Sequence, residues 1–139
     1  RPRQVITGHV GDSRAYLYRA GRFSQITVDH SYVQFLVSKG ILTEEEARTH
    51  PYKSVITRAL GMENVSADAY ASTFEKGDML LICSDGVTGH VEDGELQSAL
   101  AAGGDLRPMA EGLLALALER GGSDNISLVL VRNDEEVGV

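Results

Sequence analysis

Three aspartates stand where a folded chain could gather metal-binding groups. Asp12 follows a glycine in a turn between predicted strands, Asp85 follows the apolar run that ends at Cys83, and Asp124 precedes the last predicted strand. Polar residues at strand ends can meet at one rim of a sheet, and hard divalent cations bind several carboxylate oxygens at such places. Each aspartate taken singly is more simply a turn residue. The spacing alone leaves both interpretations open.

The elements that must position these aspartates are predicted from hydrophobic periodicity. Strands are predicted over residues 5–10, 15–18, 23–28, 65–74, 79–83 and 126–131, and helices over about 33–40, 43–50, 95–102 and 106–120. The run 79–83 is apolar throughout, which predicts a strand buried on both faces. Segment 54–60 has no clear period, which fits either a turn of helix or an irregular segment. This order predicts an α+β fold with antiparallel sheets rather than alternating βαβ units.

Local signals mark several helix ends. Thr43 precedes a run of glutamates, as in a capping box, and Gly40 ends the helix before it. In the last predicted helix, apolar side chains recur at helical spacing on one face: Met109, Leu113, Leu116 and Ala117.

Composition excludes some function classes. The 139 residues suit a single domain, and 13 basic against 20 acidic residues give a net charge of −7. That charge disfavours binding to nucleic acid or to an anionic membrane surface. Cys83 is the single cysteine, so no internal disulfide forms. We find no membrane-spanning run and no signal-peptide core, and we therefore expect a cytoplasmic protein.

Five sequence motifs carry a resemblance to a known family. They are VGDSRAYLY (10–18), TVDHS (27–31), SVITRALG (54–61), GDMLLICSDGVT (77–88) and GGSDNISLVLV (121–131). In this order they resemble the later motifs of the metal-dependent serine/threonine protein phosphatases of the type 2C class, the PPM family, in a bacterial-like form. The resemblance runs from Val5 to about Arg132. It implies part of an α-β-β-α sandwich with antiparallel sheets flanked by helices, and a small helical flap at about 33–57 beside the active site.

The resemblance also implies a reaction and its cofactors. In that family two manganese or magnesium ions bind a bridging water, which attacks the phosphorus of phosphoserine or phosphothreonine in a phosphoprotein. Carried over residue by residue, Asp85 and Asp124 are ligands of the metal pair. Asp12 corresponds to an aspartate that helps to bind a third, weaker ion, which it shares with Asp85.

Departures from the family pattern limit this expectation. The early motifs, which supply the phosphate-binding arginine, the bridging aspartate and a catalytic histidine, are absent, and none of His9, His30, His50 and His90 lies in an equivalent motif. His9 stands where asparagine is common, and Gly89 where aspartate is frequent; both are interpreted as tolerated variation. We therefore expect the C-terminal half of a catalytic domain that is inactive alone. Its partner would be the missing N-terminal half or another copy of the chain.

The sequence leaves alternatives open for several residues and for the function of the whole chain. A cysteine phosphatase built on Cys83 would need an arginine at the position of Gly89, so Cys83 is interpreted as a buried strand residue. Arg14 and Arg58 could bind phosphate or form structural ion pairs. For the whole chain, the alternatives to a phosphatase are a noncatalytic phosphatase-like module that binds or regulates a partner, and a plain scaffold whose aspartates only make turns.

Overall fold

A computed structural model describes residues 3–134 of the chain. The strands are β1 (Gln4–His9), β2 (Arg14–Arg19), β3 (Arg22–Gln25), β4 (Asp68–Thr73), β5 (Met79–Cys83) and β6 (Leu128–Arg132). The helices are α1 (Tyr32–Ser38), α2 (Glu44–Thr49), α3 (Asp85–Thr88), α4 (Asp93–Ala101) and α5 (Leu106–Arg120). The predicted α+β order, with a helical insertion between β3 and β4, is confirmed.

The strands form antiparallel sheets, as predicted, but their grouping is not sequential. A four-stranded sheet has the order β3-β2-β5-β6, and β1 pairs with β4 in a separate two-stranded sheet. Tyr16 lies opposite Leu81, and Leu81 lies opposite Leu130. The strands β1 and β2 follow each other in the chain yet belong to different sheets. The short turn between them, which contains Asp12, therefore passes from one sheet to the other.

The core lies between one face of the four-stranded sheet and α3 to α5. Tyr16, Leu81 and Leu96 are fully buried there. The predicted stripe of α5 faces this core, with Met109, Leu113 and Ala117 buried and Leu116 packed at its edge. Each fully buried large apolar side chain contributes about 2 kcal/mol, so burial on this face of the sheet stabilises the fold strongly.

The other face of the sheet is partly open, which corrects one prediction. We expected β5 to be buried on both faces, but Ile82 is 44% exposed, although Leu80 on the same face is buried. Ile82 lies opposite Val129, which is 54% exposed, and Val131 on the same strand is 41% exposed. The prediction was wrong for this end of the strand because no layer of the described chain covers it.

The helical insertion begins and ends as its sequence indicates. In α1 the N-cap Ser31 accepts a hydrogen bond from the Gln34 amide. Thr43 caps α2 by accepting one from the Glu46 amide at 3.1 Å. For segment 54–60 the sequence left a turn of helix or an irregular segment open, and the structure shows the irregular one, apart from a single bridge between Ser31 and Ile56. The four-residue helix α3 was not predicted, because so short a helix has no measurable period.

Candidate functional site

The three predicted aspartates line one cleft. Asp12, Asp85 and Asp124 face a space of about 810 Å³ between the end of the four-stranded sheet and the helices α1 and α2. Five further carboxylates line it: Asp29, Glu44, Glu45, Glu92 and Asp93. Its cationic side chains are Arg14, Arg48 and Lys53. We call this space the acidic cleft, because its lining carries a clear excess of negative charge.

Asp85 and Asp124 are brought together by the loops that follow β5 and precede β6. Asp85 is the first residue of α3, and the Ser84 amide donates to the Ser127 carbonyl at 3.0 Å. Gly86 makes the close approach possible, because a β-carbon there would collide with the Asn125 carbonyl oxygen. The glycine after Asp85 is therefore required by the approach of the loop that carries Asp124.

Burial and neighbouring carboxylates dominate the electrostatics of Asp85 and Asp12. Burial, followed by the negative charge of Asp124 and a hydrogen bond to its carboxyl group, raises the pKa of Asp85. Burial, followed by the charges of Asp85 and Asp29, raises the pKa of Asp12. Carboxylates that repel one another at the floor of a cleft are typical of cation sites.

The aspartates do not make a complete ligand set among themselves. Within residues 3–134, no group of three or more histidine, cysteine, aspartate or glutamate side chains is arranged to hold a metal ion. Asp85 and Asp124 form a two-carboxylate pair, and Asp12 interacts with Asp85 through its charge. Any ion bound here would need further ligands from water or from another part of the protein.

Arg14 is engaged in a structural ion pair at the floor of the cleft. Its guanidinium donates to both carboxylate oxygens of Asp29, at 2.9 and 2.8 Å, and to the Tyr16 hydroxyl at 3.1 Å. The Tyr16 hydroxyl in turn donates to Asp93 at 2.9 Å. Asp29 and Asp93 also line the cleft, and neither was predicted to do so from the sequence. Asp29 lies within the TVDHS motif, whereas no sequence signal marked Asp93.

The sequence of this chain is similar to those of known phosphatases along most of its length. No protein-family model matches the chain. Over 132 residues it is 39% identical to the serine/threonine phosphatase stp of Listeria monocytogenes, covering 94% of this chain and 52% of that protein. It is also 39% identical over 134 residues to protein phosphatase PhpP of Streptococcus pneumoniae, covering 96% and 54%.

The solved structures that resemble this chain are also those of serine/threonine phosphatases. The serine/threonine phosphatase PstP/Ppp of Mycobacterium tuberculosis superposes with a TM-score of 0.90 at 39% identity, covering 95% of this chain and 56% of that chain. A structure of the PstP catalytic domain in complex with two manganese ions gives a TM-score of 0.81 at 37% identity, covering 91% and 52%. The chain is homologous to PP2C-type serine/threonine phosphatases.

The homology to PP2C-type phosphatases covers almost all of this chain but only part of its relatives. The chain spans about half the length of the curated relatives that it matches. Its α+β fold with antiparallel sheets and helices matches theirs. Within the described residues, no helix is long and apolar enough to cross a membrane.

Two further residues singled out in the sequence take structural positions in the described part of the chain. Cys83 is buried in β5, as predicted, and burial raises the pKa of its thiol to about 12, so it is not a reactive thiolate at neutral pH. Arg58 lies outside the cleft lining and donates to Asp68 at 3.0 Å. For both Arg14 and Arg58, the structure favours the ion-pair alternative.

Proposed function

We propose that this chain is the C-terminal half of the catalytic domain of a protein serine/threonine phosphatase that depends on divalent metal ions. The observation that carries the proposal is the pair Asp85–Asp124 in the lining of the acidic cleft. Its support is homology, over nearly the whole chain, to phosphatases of which one has been solved with two manganese ions. The substrates would be phosphoproteins, whose phosphorylated segments would enter the cleft.

The donor set of the cleft fits manganese or magnesium. Asp85 and Asp124 are hard oxygen donors whose mutual repulsion a divalent cation would relieve, and we propose both as ligands of a metal pair. Asp12 would contribute to a third, weaker ion near Asp85. A bound metal pair supplies positive charge that neutralises the oxygens of a transferring phosphoryl group.

The other residues of the cleft have supporting tasks. The ion pair of Arg14 with Asp29 and the hydrogen bonds through Tyr16 to Asp93 hold the floor in one arrangement. Because Arg14 is already engaged, it is not free to bind the substrate phosphate. The opposite wall, formed by α1, α2 and the segment after them, offers Arg48 and Lys53 to a substrate. We propose that this wall, the predicted flap, contacts the polypeptide around the phosphorylated residue.

The open face of the four-stranded sheet supports the proposal of a missing half. Ile82, Val129 and Val131 are each more than 40% exposed on that face. Leaving a row of apolar side chains on a sheet in water is unfavourable, and such a face normally packs against another layer. We propose that the N-terminal half of the same domain covers it and supplies the remaining metal ligands and the phosphate-binding arginine. The single free cysteine is consistent with the cytoplasmic location that we propose.

Substitution of the paired aspartates tests the proposed chemistry. In the complete catalytic domain, Asp85→Asn or Asp124→Asn should lower manganese-dependent turnover of a phosphopeptide about a hundredfold or more, a barrier of roughly 3 kcal/mol, because a charged ligand is lost. Asp105→Asn is a matched control, since Asp105 precedes α5 outside the acidic cleft. Cys83→Ser should also retain turnover. Wild-type rates in both aspartate variants would refute the assignment of Asp85 and Asp124 as metal ligands, whereas no turnover in the complete wild-type domain would favour a noncatalytic module.

The isolated chain provides a separate test of the missing half. Purified alone, it should not hydrolyse p-nitrophenyl phosphate with manganese, because the bridging aspartate and phosphate-binding arginine are outside it. Co-expression with the N-terminal half of the domain should restore hydrolysis. Brisk hydrolysis by the chain alone would contradict the proposal, and sedimentation would then show whether a second copy covers the open sheet face.

A further inference from the structure

Two buried histidines, His9 and His30, hold the turn that carries Asp12, one on each side of it. The ring of His9 pairs through Nε2 with the Ser13 carbonyl at 2.7 Å. The Gly11 amide donates to Nδ1 of His30 at 3.0 Å, and the His30 amide donates to the Gly11 carbonyl at 2.8 Å. The two imidazole rings lie with their centroids 4.8 Å apart. Asp12 is therefore flanked by neighbours whose backbone groups are bound to one compact pair of rings.

The hydrogen-bond partners define which ring nitrogens carry hydrogen. A carbonyl oxygen only accepts, so Nε2 of His9 must donate to Ser13. An amide only donates, so Nδ1 of His30 must accept, and its hydrogen resides on Nε2, which lies 2.7 Å from Asp68. Within residues 3–134, Nδ1 of His9 is buried without a hydrogen-bond partner. The hydrogen bond from Nε2 to the Ser13 carbonyl is therefore the polar contact that holds the buried His9 ring.

A second layer of contacts holds His30 in place. Asp68, in β4, accepts from His30 and from Arg58, the latter at 3.0 Å. Both contacts, that from His30 first, lower the pKa of the Asp68 carboxyl group, so it remains a charged acceptor. The backbone carbonyl of His30 accepts from the Thr57 amide at 2.8 Å. His30 thus connects the Asp12 turn to β4 and to the end of the flap.

The turn needs such support because of its backbone. Gly11 has a φ of +109°, a conformation that only glycine adopts readily, and the chain changes sheets at this point. A short turn of this kind has many alternative conformations unless neighbouring groups select one. The hydrogen bonds of His30 to Gly11 and of His9 to Ser13 act directly before and after Asp12.

We propose that His30 and His9 are positioning residues for Asp12, which fix the Gly11–Ser13 turn so that the Asp12 carboxylate stays in the acidic cleft. Asp68 and Arg58 hold His30 in the required orientation. The hydrogen bonds described above are sufficient to support this positioning role. Its effect on metal binding rests on the proposed function, in which Asp12 contributes to the weaker ion.

Amide hydrogen exchange in the complete catalytic domain tests the positioning without any metal. His30→Leu should speed exchange of the Gly11 amide about tenfold, because its acceptor is removed. His50→Leu is a matched control: Nδ1 of His50 also accepts a backbone amide, that of Tyr52 at 3.0 Å, but in the flap. It should leave Gly11 exchange unchanged. Unchanged Gly11 exchange in His30→Leu would overturn the positioning role.

Three further variants keep the test informative if His30→Leu does not fold. Asp68→Ala removes the acceptor of His30 at a half-exposed position and should speed Gly11 exchange roughly threefold. His9→Asn retains an amide donor for the Ser13 carbonyl and should preserve the turn, whereas His9→Leu should loosen it. Equal exchange rates in the turn for these two His9 variants, or unchanged Gly11 exchange in Asp68→Ala, would contradict the proposal.

Manganese titration, followed by the spin-resonance signal of the free ion, tests the consequence for the cleft. Asp12→Asn should weaken the weakest manganese site about tenfold or more, and His30→Leu should weaken it about tenfold, as the loss of an outer support typically does. In an Asp12→Asn background, His30→Leu should add less than about twofold, because both changes act through one carboxylate. Fully additive effects would show that His30 acts elsewhere. If Asp12→Asn itself changes nothing, the metal role of Asp12 fails, and hydrogen exchange alone decides the positioning role.

Discussion

The two walls of the acidic cleft are built in different ways. The wall that carries Asp85 and Asp124 belongs to the four-stranded sheet and to helices that share one core, with Leu81 and Leu113 buried in it. The opposite wall is the flap. In the fully described stretch 32–67, Val33 is the single buried apolar residue, while Phe35 is 52% and Ile41 is 64% exposed.

Under the proposed function, this difference would assign metal binding to the rigid wall and contact with the substrate to the flap. Carboxylates that repel one another need a rigid support, and the packed core behind β5 and β6 provides it. The flap is held mainly by its caps and by backbone hydrogen bonds such as those of Tyr32 to Val55 and Thr57 to His30. Segments with few buried apolar contacts open at low free-energy cost. We therefore expect the flap to adjust to substrates while the aspartate pair stays in place.

Truncation of one large apolar side chain in each wall should sharpen this comparison most. In the complete domain, Leu81→Ala should lower the free energy of unfolding by about 3 kcal/mol, because it leaves a cavity in the core. Ile41→Ala, in the flap, should lower it by less than about 0.5 kcal/mol. Urea denaturation of both variants measures the difference. Similar losses would show that the flap shares the stability of the core.

Adding a single methyl group between the two aspartate loops should have an intermediate effect. Gly86→Ala forces the β-carbon against the Asn125 carbonyl and should cost about 1–3 kcal/mol of stability while weakening manganese binding, since the loops must separate. Gly112→Ala, in the middle of α5 with no atom near the added carbon, should instead stabilise by about 0.5–1 kcal/mol. Thermal melting and metal titration on both variants check this. A well-bound manganese pair in Gly86→Ala would contradict the close approach.

The smallest expected effect concerns the charge of Asp85 without metal. Its pKa is raised by burial and by Asp124, so its contribution to stability is present at low pH and is lost as the pH rises through the raised value. At pH 7 with a chelator, Asp85→Asn should therefore stabilise the complete domain, by about 0.5 kcal/mol.

Unfolding measured from pH 3 to pH 8 checks the sign of this effect. The two proteins should converge at the acidic end, where Asp85 is protonated, and manganese should stabilise the wild type more than the variant. A variant that is less stable than the wild type at pH 7 in chelator would show that the Asp85 carboxylate is supported by the fold rather than strained by it.

Much of the local structure could be predicted from sequence alone, because its signals lie within a few residues of one another. The apolar run of β5, the stripe of α5 and the cap at Thr43 each depend on spacing inside one element. The order of five motifs predicted the homology, and the pattern of predicted strands placed Asp12, Asp85 and Asp124 at strand ends. Their collection in one cleft agrees with that prediction, while their role as metal ligands stays a prediction.

Other features were decided only by tertiary structure. The pairing of β1 with β4 rather than β2 joins residues that are distant in sequence, and distant pairing follows from the packing of whole layers. The exposure of Ile82 depends on whether a further layer covers its face, which no local pattern records. The histidines around Asp12 meet because two sheets and the end of the flap converge there. Spacing can place a residue on an element, but only the assembled elements determine its neighbours.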